Sequence, residues 1–190
     1  MYEELEPMVV PNVAAVVEKS VIAGTCVSVE QILSMLAVGM EPNHIMKVCH
    51  LPDDTLLDVA IEHVESLPSD SYLAQLLKQY RQQQRQKVNR ILESFKQHCQ
   101  QQYGQRLVKL VLFGSQARGD FRPSSDIDVL VVLKPLLNWS TDSELVTEFV
   151  ADVSIETGEL ISCIFMDSDH FQHAREFLLA AIRHDGIVVS

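Results

Sequence analysis

The stretch that decides the fold is Val108 to Leu133, VKLVLFGSQARGDFRPSSDIDVLVVL. A β-rich apolar run, Leu107 to Phe113, leads into Gly114 and Ser115. A polar loop holding Arg118 and Arg122 follows, and Asp126-Ile127-Asp128 opens a second apolar run. Ten residues, Gln116 to Ser125, separate the Gly-Ser pair from the Asp-x-Asp.

Each part of this pattern has a chemical use. Gly114 lets the backbone approach an anion, and Ser115 can donate a hydrogen bond to it. If Ser115 to Gly119 starts a short helix, its free N–H groups face the same anion. Arg118 and Arg122 can add positive charge for a triphosphate. Asp126 and Asp128 are one residue apart, so in a strand both side chains leave the same face. Two carboxylates so placed suit Mg²⁺, which holds a triphosphate and stabilises charge developing on the transferred group. A solvent-facing turn and strand would explain an isolated Asp-x-Asp. It does not account for the Gly-Ser pair, the spacing, the two flanking apolar runs and the arginines together.

Outward from this centre, the elements alternate. A long glutamine-rich helix is expected from Ser71 to about Tyr103, with Leu73, Leu76, Leu77, Tyr80, Val88, Ile91, Leu92 and Phe95 on one side. A coiled-coil seam there would make a homo-oligomer, but the apolar spacing breaks across the glutamines. After the second strand, Asn138 to Thr157 reads as a helix burying Leu145, Val146, Phe149, Val150 and Val153. A strand at Leu160 to Met166, a last helix from about Asp169 to Arg183 and a terminal strand, Ile187 to Val189, complete the chain. This order implies an α/β (α+β) fold, a small mixed sheet flanked by helices.

Upstream, residues 1 to 27 mix short apolar runs (Met8 to Val10, Val13 to Val17, Val21 to Ala23) with Pro11 and Gly24, which suggests short strands or turns. Ser28-Val29-Glu30-Gln31 fits a capping box before a helix closed by Gly39. A second helix runs from Pro42 to Cys49, and a third from near Asp53 to Val64. Three short helices suit a helix-turn-helix module. The expected division is a helix-turn-helix-like domain at 1–67, a connecting helix at 68–87 and the α/β domain at 88–190.

Bulk properties restrict the options. With 47% hydrophobic and 22% charged residues the 190-residue chain is globular. No apolar run reaches the roughly 18–20 residues of a membrane span, so no membrane partner is expected. The acidic N-terminus lacks a signal peptide's basic start. Cys26, Cys49, Cys99 and Cys163 lie far apart, so free thiols in a cytoplasmic protein are expected. Residues 1 to 70 carry two lysines against twelve carboxylates, a balance of −10 within a net charge of −11. DNA binding draws most of its affinity from phosphate neutralisation, so this acidity disfavours it.

The Gly114-Ser115 … Asp126-x-Asp128 pattern and the G-S-Q-A-R-G-D loop resemble the minimal nucleotidyltransferases (MNT) of the DNA-polymerase-β-like superfamily, from about Val88 to the C-terminus. The resemblance implies Mg²⁺-dependent transfer of AMP, or another nucleoside monophosphate, from ATP or another nucleoside triphosphate to a hydroxyl. It assigns catalysis and metal binding to Asp126 and Asp128, and nucleotide binding to Gly114, Ser115 and Arg118. It also implies an antitoxin role beside a HEPN-type ribonuclease toxin, in some members by attaching AMP to its tyrosine. Val21 to Leu67 resembles small helix-turn-helix proteins linked to toxin–antitoxin loci, through Ile22-x-Gly24-Thr25 and Leu36-x-x-Gly39.

One departure stands out. Superfamily catalysts place a third carboxylate on the next core strand, where Ser162 stands here. Glu159, at that strand's entrance, is a substitute to consider; Asp152 lies on the preceding helix and Asp167 past the strand. The alternatives are therefore a catalytically weakened nucleotide-binding antitoxin acting by contact, and a nucleotide-responsive DNA-binding regulator. An antibiotic-modifying transferase would share the same core.

Overall fold

The computed structural model describes residues 9–11 and 20–189. These divide into two compact units. One ends at Gln84 and includes Arg122–Ser124; the other comprises Arg85–Phe121 and the chain from Ser125 onward.

In the first unit, strands β1 (Val9–Pro11) and β2 (Ser20–Ile22) pair antiparallel, with Val9 opposite Ile22. The apolar run Val13 to Val17 lies outside the described residues. Helix α1 (Val29–Ala37) begins with the expected capping box: Ser28 Oγ accepts from the Gln31 N–H at 3.1 Å, and Gln31 Oε1 accepts from the Ser28 N–H at 2.9 Å. Helices α2 (Pro42–Cys49) and α3 (Thr55–Glu65) follow the expected bounds closely. Ile22, Ile32, Leu33, Ile45, Leu57 and Ile61 are all fully buried, so the three helices and β2 share one small core. Helix α4 (Tyr72–Tyr103) adds Leu77 and Tyr80, and Gln79 donates to the Ala37 carbonyl at the end of α1.

The second unit is built on a four-stranded mixed sheet. Strand β3 (Leu107–Phe113) pairs antiparallel with β4 (Ile127–Leu133), β4 pairs parallel with β5 (Ile161–Asp167), and β3 pairs antiparallel with β6 (Ile187–Val188). The strand order is β5-β4-β3-β6. β4 is one of the two inner strands, and apart from Asp128 all its residues are buried. One sheet face packs Leu110, Leu112, Val129, Val131 and Phe165 against the stripe Val88, Leu92, Phe95, Cys99 and Tyr103 of α4. Helix α6 (Trp139–Thr157) covers the same face through Val146 and Val153. The glutamines of α4 lie mostly on its outer side.

Two expectations need correction. Leu145 is exposed at 37%, because the buried stripe of α6 passes through Val146 instead. The expected single last helix is two: α7 (Ser168–His173) and α8 (Phe177–Asp185), separated by extended backbone at Ala174 and Glu176. Arg183 on α8 donates to the carbonyls of Phe171 and Ala174, satisfying acceptors that a continuous helix would have used itself. α7 and α8 cover the opposite sheet face, with Phe171, Leu179 and Ile182 on Val111, Leu130 and Val132. No described helix is long and apolar enough to cross a membrane.

Candidate active site

The Gly-Ser pair sits where β3 turns into α5 (Gly114–Arg118), a helix of one and a half turns. Gly114 has φ +71°, and a Cβ there would stand 2.2 Å from Asp128 Oδ2 and 3.2 Å from its Cγ. The glycine therefore serves two needs, a left-handed backbone and direct contact with a carboxylate. Ser115 follows within the helix, its carbonyl accepting from the Gly119 N–H at 2.8 Å. The first N–H groups of so short a helix have no partner within it.

Asp128 is the second residue of β4. Its strand neighbours are Phe113 on β3 and Ser162 on β5. Asp126 lies just before the strand begins and is exposed. Partial burial pushes the Asp128 carboxyl above the ordinary aspartate range; the charge of Asp126 pushes the same way, and Arg118 opposes them. Four of the five predicted positions thus meet at one corner of the sheet: Gly114 touches Asp128, and Asp126 and Arg118 act on its charge, while Ser115 is the next residue after Gly114.

Arg118 is shared, since its Nε also pairs with Asp120 Oδ2 at 3.2 Å, both side chains more than half exposed. Arg122 belongs to the other compact unit. It pairs through both Nη atoms with Glu65 of α3, at 2.9 and 2.8 Å. Two further residues flank this turn, Arg85 with no motif signal and Gln116 from within the G-S-Q-A-R-G-D loop. Arg85 of α4 lies over the left-handed Gly119, where a Cβ would come within 2.3 Å of its Nη2. Gln116 is buried within α5, and its Nε2 has no hydrogen-bond partner. The Arg85 contact spans more than thirty residues of chain, which local pattern cannot reveal.

Residues 92–172 match the family model for the nucleotidyltransferase domain. The "Putative protein adenylyltransferase MJ0604" of Methanocaldococcus jannaschii is 30% identical over 80 residues, covering 42% of this chain and 74% of the relative. The chain belongs to the nucleotidyltransferase domain family. The "Putative protein adenylyltransferase MJ1305" of the same organism is 35% identical over 79 residues, 39% of this chain and 54% of that protein. A third relative there, "Putative protein adenylyltransferase MJ0141", is 39% identical over 46 residues, 24% of this chain and 46% of that protein. The chain thus spans only about half the length of two of the three.

None of Glu159, Asp152 and Asp167 stands opposite Asp128 on β5. Ser162 is the register partner of Asp128, so it holds the place on β5 nearest that carboxylate. Glu159 is buried and pairs with Lys87 Nζ at 2.8 Å. Asp152 is exposed on α6. Asp167 ends β5 opposite Leu133, at the far end of the strand from Asp128, where it caps α7. Among the described residues no three Asp, Glu, His or Cys side chains form a metal-ligand cluster. The donor set that remains, Asp126 and Asp128, suits a hard divalent cation that takes its other ligands from water and phosphate. Burial and, after it, the charge of Asp126 raise the Asp128 carboxyl, and a bound cation would offset both.

Proposed function

We propose that the chain transfers AMP from ATP to a hydroxyl of a partner protein, with Mg²⁺ held by Asp126 and Asp128. The observation that carries this reading is the contact of Gly114 with Asp128, which brings the phosphate-binding turn and the acidic pair to one point. The printed names of the three relatives support a protein as acceptor. The resemblance of the motif supports a HEPN-type toxin as that partner and an antitoxin role for this chain.

In the reaction the acceptor oxygen attacks the α-phosphorus, the bond to the bridging oxygen breaks, and pyrophosphate leaves with the electron pair. When bound, the metal neutralises phosphate charge and stabilises the leaving oxygens. Gly114 admits the polyphosphate close to the backbone, and the Ser115 hydroxyl and N–H donate to it. Arg118 and Arg85 contribute charge from the loop side. The acceptor's proton has no dedicated base at position 162. A serine hydroxyl cannot take it, so it passes to the Asp128 carboxylate or to solvent.

Mg²⁺-dependent incorporation from α-labelled ATP, with the protein alone and with lysate of its native cells, tests this. We expect label on a distinct protein band, lost in the Asp126→Asn/Asp128→Asn double variant. Absence of label from every band would refute the transfer.

A second reading is a nucleotide-binding antitoxin with weakened catalysis that acts by contact. Ser162 opposite Asp128, with Glu159 engaged by Lys87, favours it. It predicts Mg²⁺-ATP binding by calorimetry, lost in the double variant, without label transfer.

A further inference from the structure

The sheet face that carries Asp128 also carries a cavity toward the other end of β3. It measures about 340 Å³. Lys109, Phe171, Gln172 and Arg183 line it, with Val111 and Ile182 behind them. No acidic residue is among its lining, in a chain of net charge −11. Two cations without a carboxylate are the feature to explain.

Both cations are held by the fold rather than by counter-ions. Lys109 Nζ lies 4.6 Å from the centroid of the Phe171 ring, and Arg183 Cζ lies 5.8 Å from it. Arg183 donates through Nη1 to the Phe171 carbonyl at 2.6 Å and through Nη2 to the Ala174 carbonyl at 2.7 Å. Those bonds orient the guanidinium but leave its charge uncompensated and its remaining N–H groups available. Among the described residues neither cation has a carboxylate partner. Gly186 lets the cavity close at its base. A Cβ there would stand 2.3 Å from the Ile182 carbonyl oxygen and 2.6 Å from Val111 Cγ1.

We propose that this cavity binds a small phosphate monoester, with Lys109 and Arg183 as its anion contacts and the apolar wall against the ester's body. A phosphate monoester carries about −1.5 to −2 at pH 7, which matches the two cations better than a monocarboxylate does. Arg and Lys donors to a phosphate make charge-assisted hydrogen bonds, the strong class. The volume lies within the roughly 300–1,000 Å³ usual for small-molecule sites. Lys109 stands four residues before Phe113 on β3, about 14 Å away at the rise of an antiparallel strand. Lys109 is therefore apart from the Asp126–Asp128 corner, neither aspartate lines the cavity, and the inference does not rest on the transferase reading.

The test is a ¹⁵N-resolved NMR titration of the full chain without divalent metal, using phenyl phosphate, inorganic phosphate and benzoate as probes. Phenyl phosphate should shift the amides around Lys109, Phe171, Gln172 and Gly186, more tightly than inorganic phosphate and more tightly than benzoate. Lys109→Met, which keeps the stem on Phe171, should weaken phenyl phosphate about tenfold or more. Lys109→Arg should retain binding, and the Asp126→Asn/Asp128→Asn variant should bind phenyl phosphate as the unaltered chain does. Shifts elsewhere than these elements, or equal affinity in Lys109→Met, would overturn the site. Benzoate binding as tightly as phenyl phosphate would overturn the phosphate assignment. The map on the unaltered chain holds even if a variant fails to fold.

Discussion

At Asp128 the fold works against the ionised carboxylate. Its carboxyl is held above the ordinary range by burial and by Asp126, so the folded chain binds that proton more tightly than the unfolded chain does. Stability should therefore fall as pH rises through the interval just above the ordinary carboxylate range. In metal-free protein, Asp128→Asn removes this loss. The variant should melt higher than the parent at pH 7 and lose that advantage near pH 4, about the ordinary aspartate value, as thermal melts across pH would show. On the proposed reading, excess Mg²⁺ should raise the parent's melting point and leave the double Asn variant unmoved.

Ser162 is the complementary residue. Restoring a carboxylate opposite Asp128 by Ser162→Asp should raise single-turnover transfer, by up to the ~10²-fold at the low end of general-base assistance. A rate no higher than the parent's, in a variant that still binds Mg²⁺-ATP, would show that position 162 does not limit the reaction.

Among the elements, α3 and the start of α4 are joined by a charge cluster. Glu65 pairs with Arg81 and with both Nη atoms of Arg122, and these partners hold its carboxyl down to about 2. A lowered folded pKa means that the stability it contributes is present above the ordinary glutamate value. That contribution is lost as pH falls from about 4.5 toward 2. Glu65→Gln should flatten this part of the stability curve, measured by urea unfolding at pH 7, 4 and 3. The partial exposure of these side chains makes the effect modest and weaker in high salt. In the same cluster the Arg122 guanidinium has a bidentate partner in Glu65.

For the whole molecule, charge distribution outweighs net charge. The −10 balance of residues 1 to 70 opposes a polyanion whatever the helices look like. A gel-shift series with duplex DNA from low to physiological salt should show no binding; a retarded band that weakens with salt would restore the DNA-regulator reading.

Much of this architecture was legible along the chain. The capping box of α1, the proline start of α2, the reach of α4 and the alternation of β3 and β4 are local signals, because helices and strands repeat over a few residues. The corner of Gly114, Ser115, Asp126 and Asp128 was legible for the same reason: its parts lie within fifteen residues of one another. Folding decided what depends on partners distant in sequence. It placed Arg122 on Glu65 and Glu159 on Lys87, and set Arg85 over Gly119. It broke the last helix where Arg183 could take its carbonyls, and it gathered Lys109, Phe171 and Arg183 around one cavity. Periodicity reports which face of an element is buried; which charge meets which is fixed only when sheet order and register bring remote residues together.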